Sequence, residues 1–145
     1  ISIMRLEDMG VEPYLIATSL KGVIAQRLVK KVCPDCKDEY QANDEEKALL
    51  GFKKDEDLVL IKGKGCTKCS NTGYFGRIAI AEIMEINNEQ KDLIINGGTE
   101  DEINANAMKR GMKTIEENMK RAVLEKHTSF EEYLKFIKYK ETEVK

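Results

Sequence analysis

The chain has few of the residues on which enzyme sites depend, and it has no long apolar segment. His127 is the only histidine; it falls between two predicted helices without an obvious Ser or Cys partner, so these residues predict no catalytic site. The glycine–lysine run at residues 62–65 lacks the spacing of a phosphate-binding loop. No apolar run approaches the roughly 18 residues of a membrane span, and no signal peptide is evident. We therefore expect a cytoplasmic protein.

Neither charge nor aromatic content favours a nucleic-acid binder. The chain carries 24 Lys and Arg residues against 26 Asp and Glu residues, so its net charge is −2, and only 6% of its residues are aromatic. Nucleic-acid binders usually present a basic face, which a balanced composition of this kind does not favour. With 145 residues, the chain is long enough for one domain or two small ones.

The cysteines are the most informative residues that are present. The chain has 4 cysteines, and they form two C-x-x-C pairs, Cys33 with Cys36 and Cys66 with Cys69. Two such turns can close a tetrahedral Cys₄ zinc site, and no cysteine is left over. Nearby glycines allow the tight turns that point backbone amides at sulfur: Gly65, Gly73 and Gly76. We expect structural Zn²⁺, because four protein ligands leave no open position for catalysis.

Other functions remain open for these cysteines. A thioredoxin-type redox site has one C-x-x-C pair, and two disulfides would suit a secreted chain. A zinc-ribbon nucleic-acid module is a further alternative, which a salt-dependent gel shift would support. A co-chaperone or thiol-exchange module is another, although such modules usually repeat the pair four times. Insulin reduction would support that reading.

Hydrophobic periodicity predicts an α+β chain that is mostly α. One helical face predicts a helix from Pro13 to about Lys31. A short helix at 44–50 and a short strand at 58–61 follow between the cysteine pairs, and residues 77–86 read as a strand that is apolar on both faces. Helices are then predicted after Asn88 and after three capping-box patterns: Thr99 with Glu102, Thr114 with Glu117, and Ser129 with Glu132.

Two features predict that the chain is part of something larger. It opens at Ile1, inside an apparent helix, and the apolar strand at 77–86 has little sequence to cover it. We also expect the C-terminal helices to form one bundle that stands without the metal, whereas the segment between the cysteine pairs relies on it.

Several segments resemble the ATPases of type II secretion and type IV pilus assembly. The family patterns are R-L-x-D-M-G-[VI]-E-P-[FY]-L-[IV], then A-Q-R-L before C-P-x-C, then G-C-x-x-C, G-Y-x-G-R and G-M-x-[TS]. The matching segments occur here in the same order: 5–16, 22–29, 33–36, 65–69, 73–77 and 111–114. The resemblance covers residues 3 to about 137.

The resemblance also separates branches of that family. Retraction motors carry A-I-R-N-L-I-R-E where residues 89–96 read E-Q-K-D-L-I-I-N, and they lack the tetracysteine insert. The chain therefore resembles the assembly and secretion motors, without distinguishing between these two.

The resemblance implies a homo-hexameric cytoplasmic motor that hydrolyses ATP with Mg²⁺. It would act with an inner-membrane platform protein and other secretion or pilus components, peripheral to that membrane, and not with nucleic acid. The Walker motifs and the His box of that family have no counterpart in this chain, so no catalytic residue is expected in it. Gln26, Arg27 and Arg77 are candidates for a nucleotide edge or a subunit interface.

The resemblance further implies a domain organisation. Residues 1–32 would be C-terminal helices of a RecA-like core, and residues 33–76 a zinc-binding tetracysteine subdomain with short strands. Residues 77–87 would be a strand returning to the core, and residues 88–145 a C-terminal helical domain.

Overall fold

The computed structural model describes residues 2–143 of the chain, and within them the fold is α+β. The described elements comprise seven helices and four strands, arranged in two small sheets. In chain order they are α1 Ser2–Asp8, α2 Pro13–Ser19, β1 Gly22–Val32, β2 Lys37–Gln41, α3 Asp44–Leu50, β3 Val59–Gly63, β4 Tyr74–Glu85, α4 Asn88–Ile95, α5 Glu100–Lys109, α6 Ile115–Leu124 and α7 Phe130–Glu143. Ile1, which was one reason to expect that the chain is part of something larger, lies outside the described residues.

Three of the predicted helix boundaries have clear local causes. The side chain of Asn43 accepts a hydrogen bond from Glu46 N–H at 2.8 Å, and Gly51 ends α3 with φ +86° in the left-handed region. Thr99 and Glu102 form the predicted capping box, each accepting from the other's backbone N–H. All three boundaries confirm the sequence prediction.

The prediction of one helix from Pro13 to Lys31 is wrong beyond Ser19. Residues 22–32 form β1, which pairs with β4 in a two-stranded sheet. At one end Ile86 N–H donates to Lys21 O at 3.0 Å, and at the other Cys33 N–H donates to Gly73 O at 3.0 Å. Pairing with β4 satisfies the backbone groups that a helix would otherwise have satisfied internally, so tertiary context overrides the helical periodicity.

The described residues divide into two compact units, each with its own core. The first unit comprises the residues up to Gln26 together with Ala81–Thr114; the second comprises Arg27–Ile80 together with the residues from Ile115 onward. The core of the first unit is made by side chains of α1, α2, α4 and α5 and by the end of β4: Ile3, Ile16, Ala17, Met84, Ile86, Ile94, Ile103 and Ala107.

The core of the second unit joins the segment between the cysteine pairs to α6 and α7. Leu60 of β3 is fully buried in the same cluster as Met119 of α6 and Tyr133 of α7. The expectation that the C-terminal helices form one bundle is therefore wrong. α4 and α5 belong to the first unit, while α6 and α7 share a core with β3.

A second antiparallel sheet, made of β2 and β3, carries the segment that follows the first cysteine pair. Lys37 lies opposite Gly63 and Gln41 lies opposite Val59. This register places the end of β3 beside the residue that directly follows Cys36. The residues leading to the second cysteine pair are thereby brought next to the first pair.

Among the described residues, no helix is both long and apolar enough to span a bilayer. The longest helix described is α7, which continues to Glu143.

Leu60→Ala should destabilise the second unit strongly. Leu60 is 0% exposed in the core that β3 shares with α6 and α7, so truncation leaves a cavity and should cost about 2–5 kcal/mol. Leu28→Ala is the matched control, since Leu28 is 60% exposed and its truncation leaves no cavity. Urea unfolding followed by circular dichroism measures both, and equal effects would contradict this description of the core.

Candidate metal centre

The structure brings all four cysteines into one cluster. The sulfur atoms of Cys33, Cys36, Cys66 and Cys69 lie within 4.8 Å of one another, and none of these cysteines forms a disulfide. Cys33 and Cys69 are buried, whereas the other two are partly exposed. Each C-x-x-C turn contributes two sulfurs, as the sequence predicted.

The distances between the sulfurs match a tetrahedral metal site. They are 3.8 Å from Cys33 to Cys66, 3.8 Å from Cys36 to Cys69 and 3.7 Å from Cys66 to Cys69. A tetrahedron with metal–sulfur bonds of about 2.3 Å has edges of about 3.8 Å. A disulfide requires about 2.05 Å between its sulfurs. The four thiols are thus spaced for one ion at their centre, and a tetrahedral S₄ donor set suits zinc or iron.

The backbone after Cys66 folds tightly enough to direct two sulfurs inward. Asn71 N–H donates to Cys66 O at 2.9 Å, and Thr72 N–H donates to Cys69 O at 3.1 Å. Ser70 and Asn71 adopt φ +52° and +62°, a left-handed conformation that few residues other than glycine adopt. These turns close the second knuckle, defined here as residues 65–73.

Backbone amides surround the sulfurs. Gly65 N–H donates to Cys36 Sγ, and both Cys66 N–H and Gly73 N–H donate to Cys69 Sγ, each at 3.3 Å. Such N–H···S bonds stabilise a thiolate and orient it toward a metal. The sequence indicated this role for Gly65 and Gly73, whose φ values of +99° and +81° favour glycine. It did not indicate the bond from Cys66.

The two sulfurs that receive these amides differ in acidity. Burial opposes ionisation of Cys69, but its two amide donors lower the pKa of that thiol to about 6. Burial raises the pKa of Cys36 to about 12, although Gly65 N–H donates to its sulfur. Because a bound metal must displace a thiol proton, metal affinity should fall as the pH falls.

An exposed ion pair joins the two cysteine turns. Lys68 Nζ lies 3.2 Å from Asp35 Oδ1, and both side chains are around half exposed. Exposed pairs contribute at most about 1 kcal/mol, so this contact adds little to the site. The thiols and their amide donors therefore determine the arrangement of the four sulfurs.

The other candidate residues lie on β1 and β4 and differ in their surroundings. Gln26 and Arg77 have exposed side chains. Arg27 is half-buried, and its guanidinium carbon lies 4.2 Å from the ring centroid of Tyr139 and 5.7 Å from that of Phe136. These cation–π contacts hold the Arg27 side chain against α7.

His127 lies in the loop between α6 and α7, as the sequence predicted, and is exposed. Its backbone carbonyl accepts a hydrogen bond from Val32 N–H at 3.3 Å. The neighbouring Thr128 hydroxyl donates to Lys30 O at 2.6 Å. This loop therefore holds the end of β1 directly before Cys33, a role for which the sequence carries no recognisable signal.

Comparison with known proteins assigns the chain to a family. A family model described as "Type II/IV secretion system protein" matches residues 1–135. The chain belongs to this family. Type II/IV secretion system proteins related to it include the type II secretion system protein E of Pseudomonas aeruginosa, which is 40% identical over 134 residues. The type IV pilus assembly ATPase PilB of Thermus thermophilus is 41% identical over 135 residues, and the type II secretion system ATPase E of Vibrio cholerae is 47% identical over 93 residues.

The chain matches only a part of each of these family members. The alignments cover 92% of this chain against the Pseudomonas and Thermus proteins and 64% against the Vibrio protein. They cover 26%, 15% and 18% of the Pseudomonas, Thermus and Vibrio proteins respectively. The chain thus spans about a quarter or less of the length of these relatives.

This family member should contain one zinc ion per chain when purified without added metal. The four thiols already have the spacing of a zinc tetrathiolate, so little reorganisation opposes binding. Elemental analysis measures the stoichiometry, and X-ray absorption should give four sulfurs at about 2.3 Å. Thiol titration that finds two disulfides and no metal would contradict the expectation.

Cys66→Ser should release the metal and loosen the whole second unit. Because β3 shares its core with α6 and α7, amide exchange should accelerate in β2, β3, α6 and α7. α4 and α5 lie in the core of the first unit and should keep their protection. Thr67→Ser is the control, since Thr67 lies exposed between the two ligands. Uniform loss of protection in both units would count against two separate cores.

Proposed function

We propose that this chain is the C-terminal part of a hexameric cytoplasmic motor ATPase that powers pilus assembly or type II protein secretion. The observation that carries the proposal is the family match over residues 1–135, with relatives named for both systems. In this motor the chain supplies metal-stabilised structure and contacts between subunits. ATP and Mg²⁺ bind elsewhere in the motor, and no residue of this chain performs the hydrolysis.

The metal of the proposed motor is zinc, held by Cys33, Cys36, Cys66 and Cys69. The distances of 3.7–3.8 Å between the sulfurs support this assignment, as do the three amide donors. A closed tetrathiolate leaves no coordination position for a substrate, so the ion stabilises the fold and takes no part in catalysis. It holds residues 33–36 beside residues 66–69 and thereby supports the segment between them.

The proposed domain organisation follows the family resemblance. Residues 1–32 and the strand 77–87 belong with a RecA-like core, and residues 33–76 form the zinc subdomain. Residues 88–145 form a helical end, of which α4 and α5 pack in the first unit and α6 and α7 in the second. In support, the whole segment 33–76 lies within the second unit.

Contacts between subunits would use apolar side chains that the first unit leaves exposed. Ile24 of β1 is 66% exposed and Ile83 of β4 is 62% exposed, both in the first unit. Strands that present large apolar side chains to solvent are typical of surfaces that another surface covers. The exposed side chains of Gln26 and Arg77 make these two residues the better candidates for an interface or a nucleotide edge.

The partners proposed for the motor are further copies of itself, an inner-membrane platform protein and other secretion or pilus components. The motor would be peripheral to the inner membrane and reach it through these partners. We propose no nucleic-acid partner, because the chain has a net charge of −2 and only 6% aromatic residues.

The decisive test is ATP hydrolysis by the 145-residue chain and by a longer protein that contains it. The chain alone should release no phosphate above buffer, because it contains no phosphate-binding loop. The longer protein should turn over ATP and sediment as a hexamer. Turnover by the isolated chain that survives repurification would contradict the proposal, as would a longer protein that is monomeric and inactive.

The same assay tests Arg77. In the longer protein, Arg77→Gln should lower kcat at least about tenfold if the arginine reaches a nucleotide or a neighbouring subunit. Zinc content should be unchanged. Lys113→Gln is the control, since Lys113 is also exposed and its substitution removes the same charge. Equal activity of the two variants would remove Arg77 from the candidates.

A further inference from the structure

Two glycines, Gly63 at the end of β3 and Gly73 directly before β4, bring their backbones into very close contact. A Cβ atom added to Gly63 would lie 2.1 Å from the carbonyl oxygen of Gly73 and 2.5 Å from its Cα. A Cβ added to Gly73 would lie 2.7 Å from the carbonyl oxygen of Gly63. The obstructing atoms are backbone atoms, which cannot rotate away as a side chain can. Only glycine therefore fits at either position of this backbone contact.

Gly73 is bonded to both cysteine turns. Its carbonyl oxygen accepts a hydrogen bond from Cys33 N–H at 3.0 Å, and its own N–H donates to Cys69 Sγ at 3.3 Å. A displacement of Gly73 would therefore disturb one ligand residue in each turn.

The residues that follow Gly63 make equivalent contacts with the first cysteine turn. Lys64 N–H donates to Cys36 O at 3.1 Å, and Gly65 N–H donates to Cys36 Sγ at 3.3 Å. The contact between the Gly63 and Gly73 backbones thus lies between the hydrogen bonds to Cys36 on one side and those to Cys33 and Cys69 on the other.

We infer that Gly63 and Gly73 are positioning residues of the metal centre, because their close contact sets the separation of the two cysteine turns. The inference rests on the metal site of the proposed function. Gly63 is the cleaner probe of the two. Its φ lies outside the left-handed region that Gly73 occupies with φ +81°, so a substitution at Gly63 introduces a steric contact without the backbone strain expected at Gly73.

The test is cobalt and zinc binding by Gly63→Ala in the 145-residue chain. All four ligands remain, yet the metal affinity should fall about 10–100-fold, the usual effect of residues that orient metal ligands. The visible absorption of the Co²⁺ form should also change, because the sulfurs no longer form a regular tetrahedron. Gly63→Ala with wild-type affinity and spectrum would overturn the inference.

Gly73→Ala and Gly76→Ala provide a matched comparison should Gly63→Ala fail to fold. Gly73 and Gly76 both have positive φ, +81° and +80°, so alanine strains the backbone equally at either position. A Cβ on Gly73 would lie 2.7 Å from the carbonyl oxygen of Gly63, whereas a Cβ on Gly76 meets nothing within 4 Å. Gly73→Ala should therefore bind cobalt several-fold more weakly than Gly76→Ala. Equal affinities would overturn the inference.

Metal-free protein separates positioning from general stability. Gly63→Ala should lower the unfolding midpoint of the zinc-bound protein and leave that of the chelator-treated protein unchanged. An equal decrease in both forms would mean that the glycine stabilises the fold without positioning the ligands. If the wild-type chain binds neither cobalt nor zinc, the proposed metal site itself is wrong. If the wild-type chain binds them and Gly63→Ala binds them equally well, only the positioning role of the glycines is wrong.

Discussion

Convergence of four sulfurs on one tetrahedron constrains more of this chain than any other interaction. The two C-x-x-C turns are separated by residues 37–65, so closing the site also closes a long loop. That loop contains the two-stranded sheet of β2 and β3. Two strands alone are marginally stable in water, and here one end is held at the thiol cluster. The other support is Leu60, buried against α6 and α7. Geometry at the sulfurs and packing in the second unit are therefore coupled.

The role of glycine in this arrangement differs from one position to the next. Gly65 and Gly73 adopt positive φ and direct amides at Cys36 and Cys69. Gly63 is required because it has no side chain, since the backbone of Gly73 occupies the space where a Cβ atom would be. Gly76 combines positive φ with open surroundings. A substitution at each position should thus act through a different physical cause, although all four lie within the same short region.

The two units differ in how they depend on the centre. All four cysteines lie in the second unit, whereas the core of the first unit is built from apolar side chains of α1, α2, α4, α5 and the end of β4. The core of the second unit includes Val29, which precedes the cysteines along β1, and Leu60, which follows the first pair. A metal ion at the four sulfurs would stiffen the second unit, whereas the packing of the first unit depends on apolar contacts.

The sequence by itself determined which four cysteines cluster, the ends of α3 and the start of α5, and the family resemblance. These depend on local chemistry: a fixed ligand spacing, a capping side chain, or a run of matched residues. Only the tertiary structure decided that residues 22–32 form a strand, because Ile24 and Leu28 fit a helical period and β4 lies far along the chain. The sequence likewise could not predict that the C-terminal helices divide between two cores, or that Gly63 contacts Gly73. Each depends on segments that meet only after folding, and no local pattern encodes such a meeting.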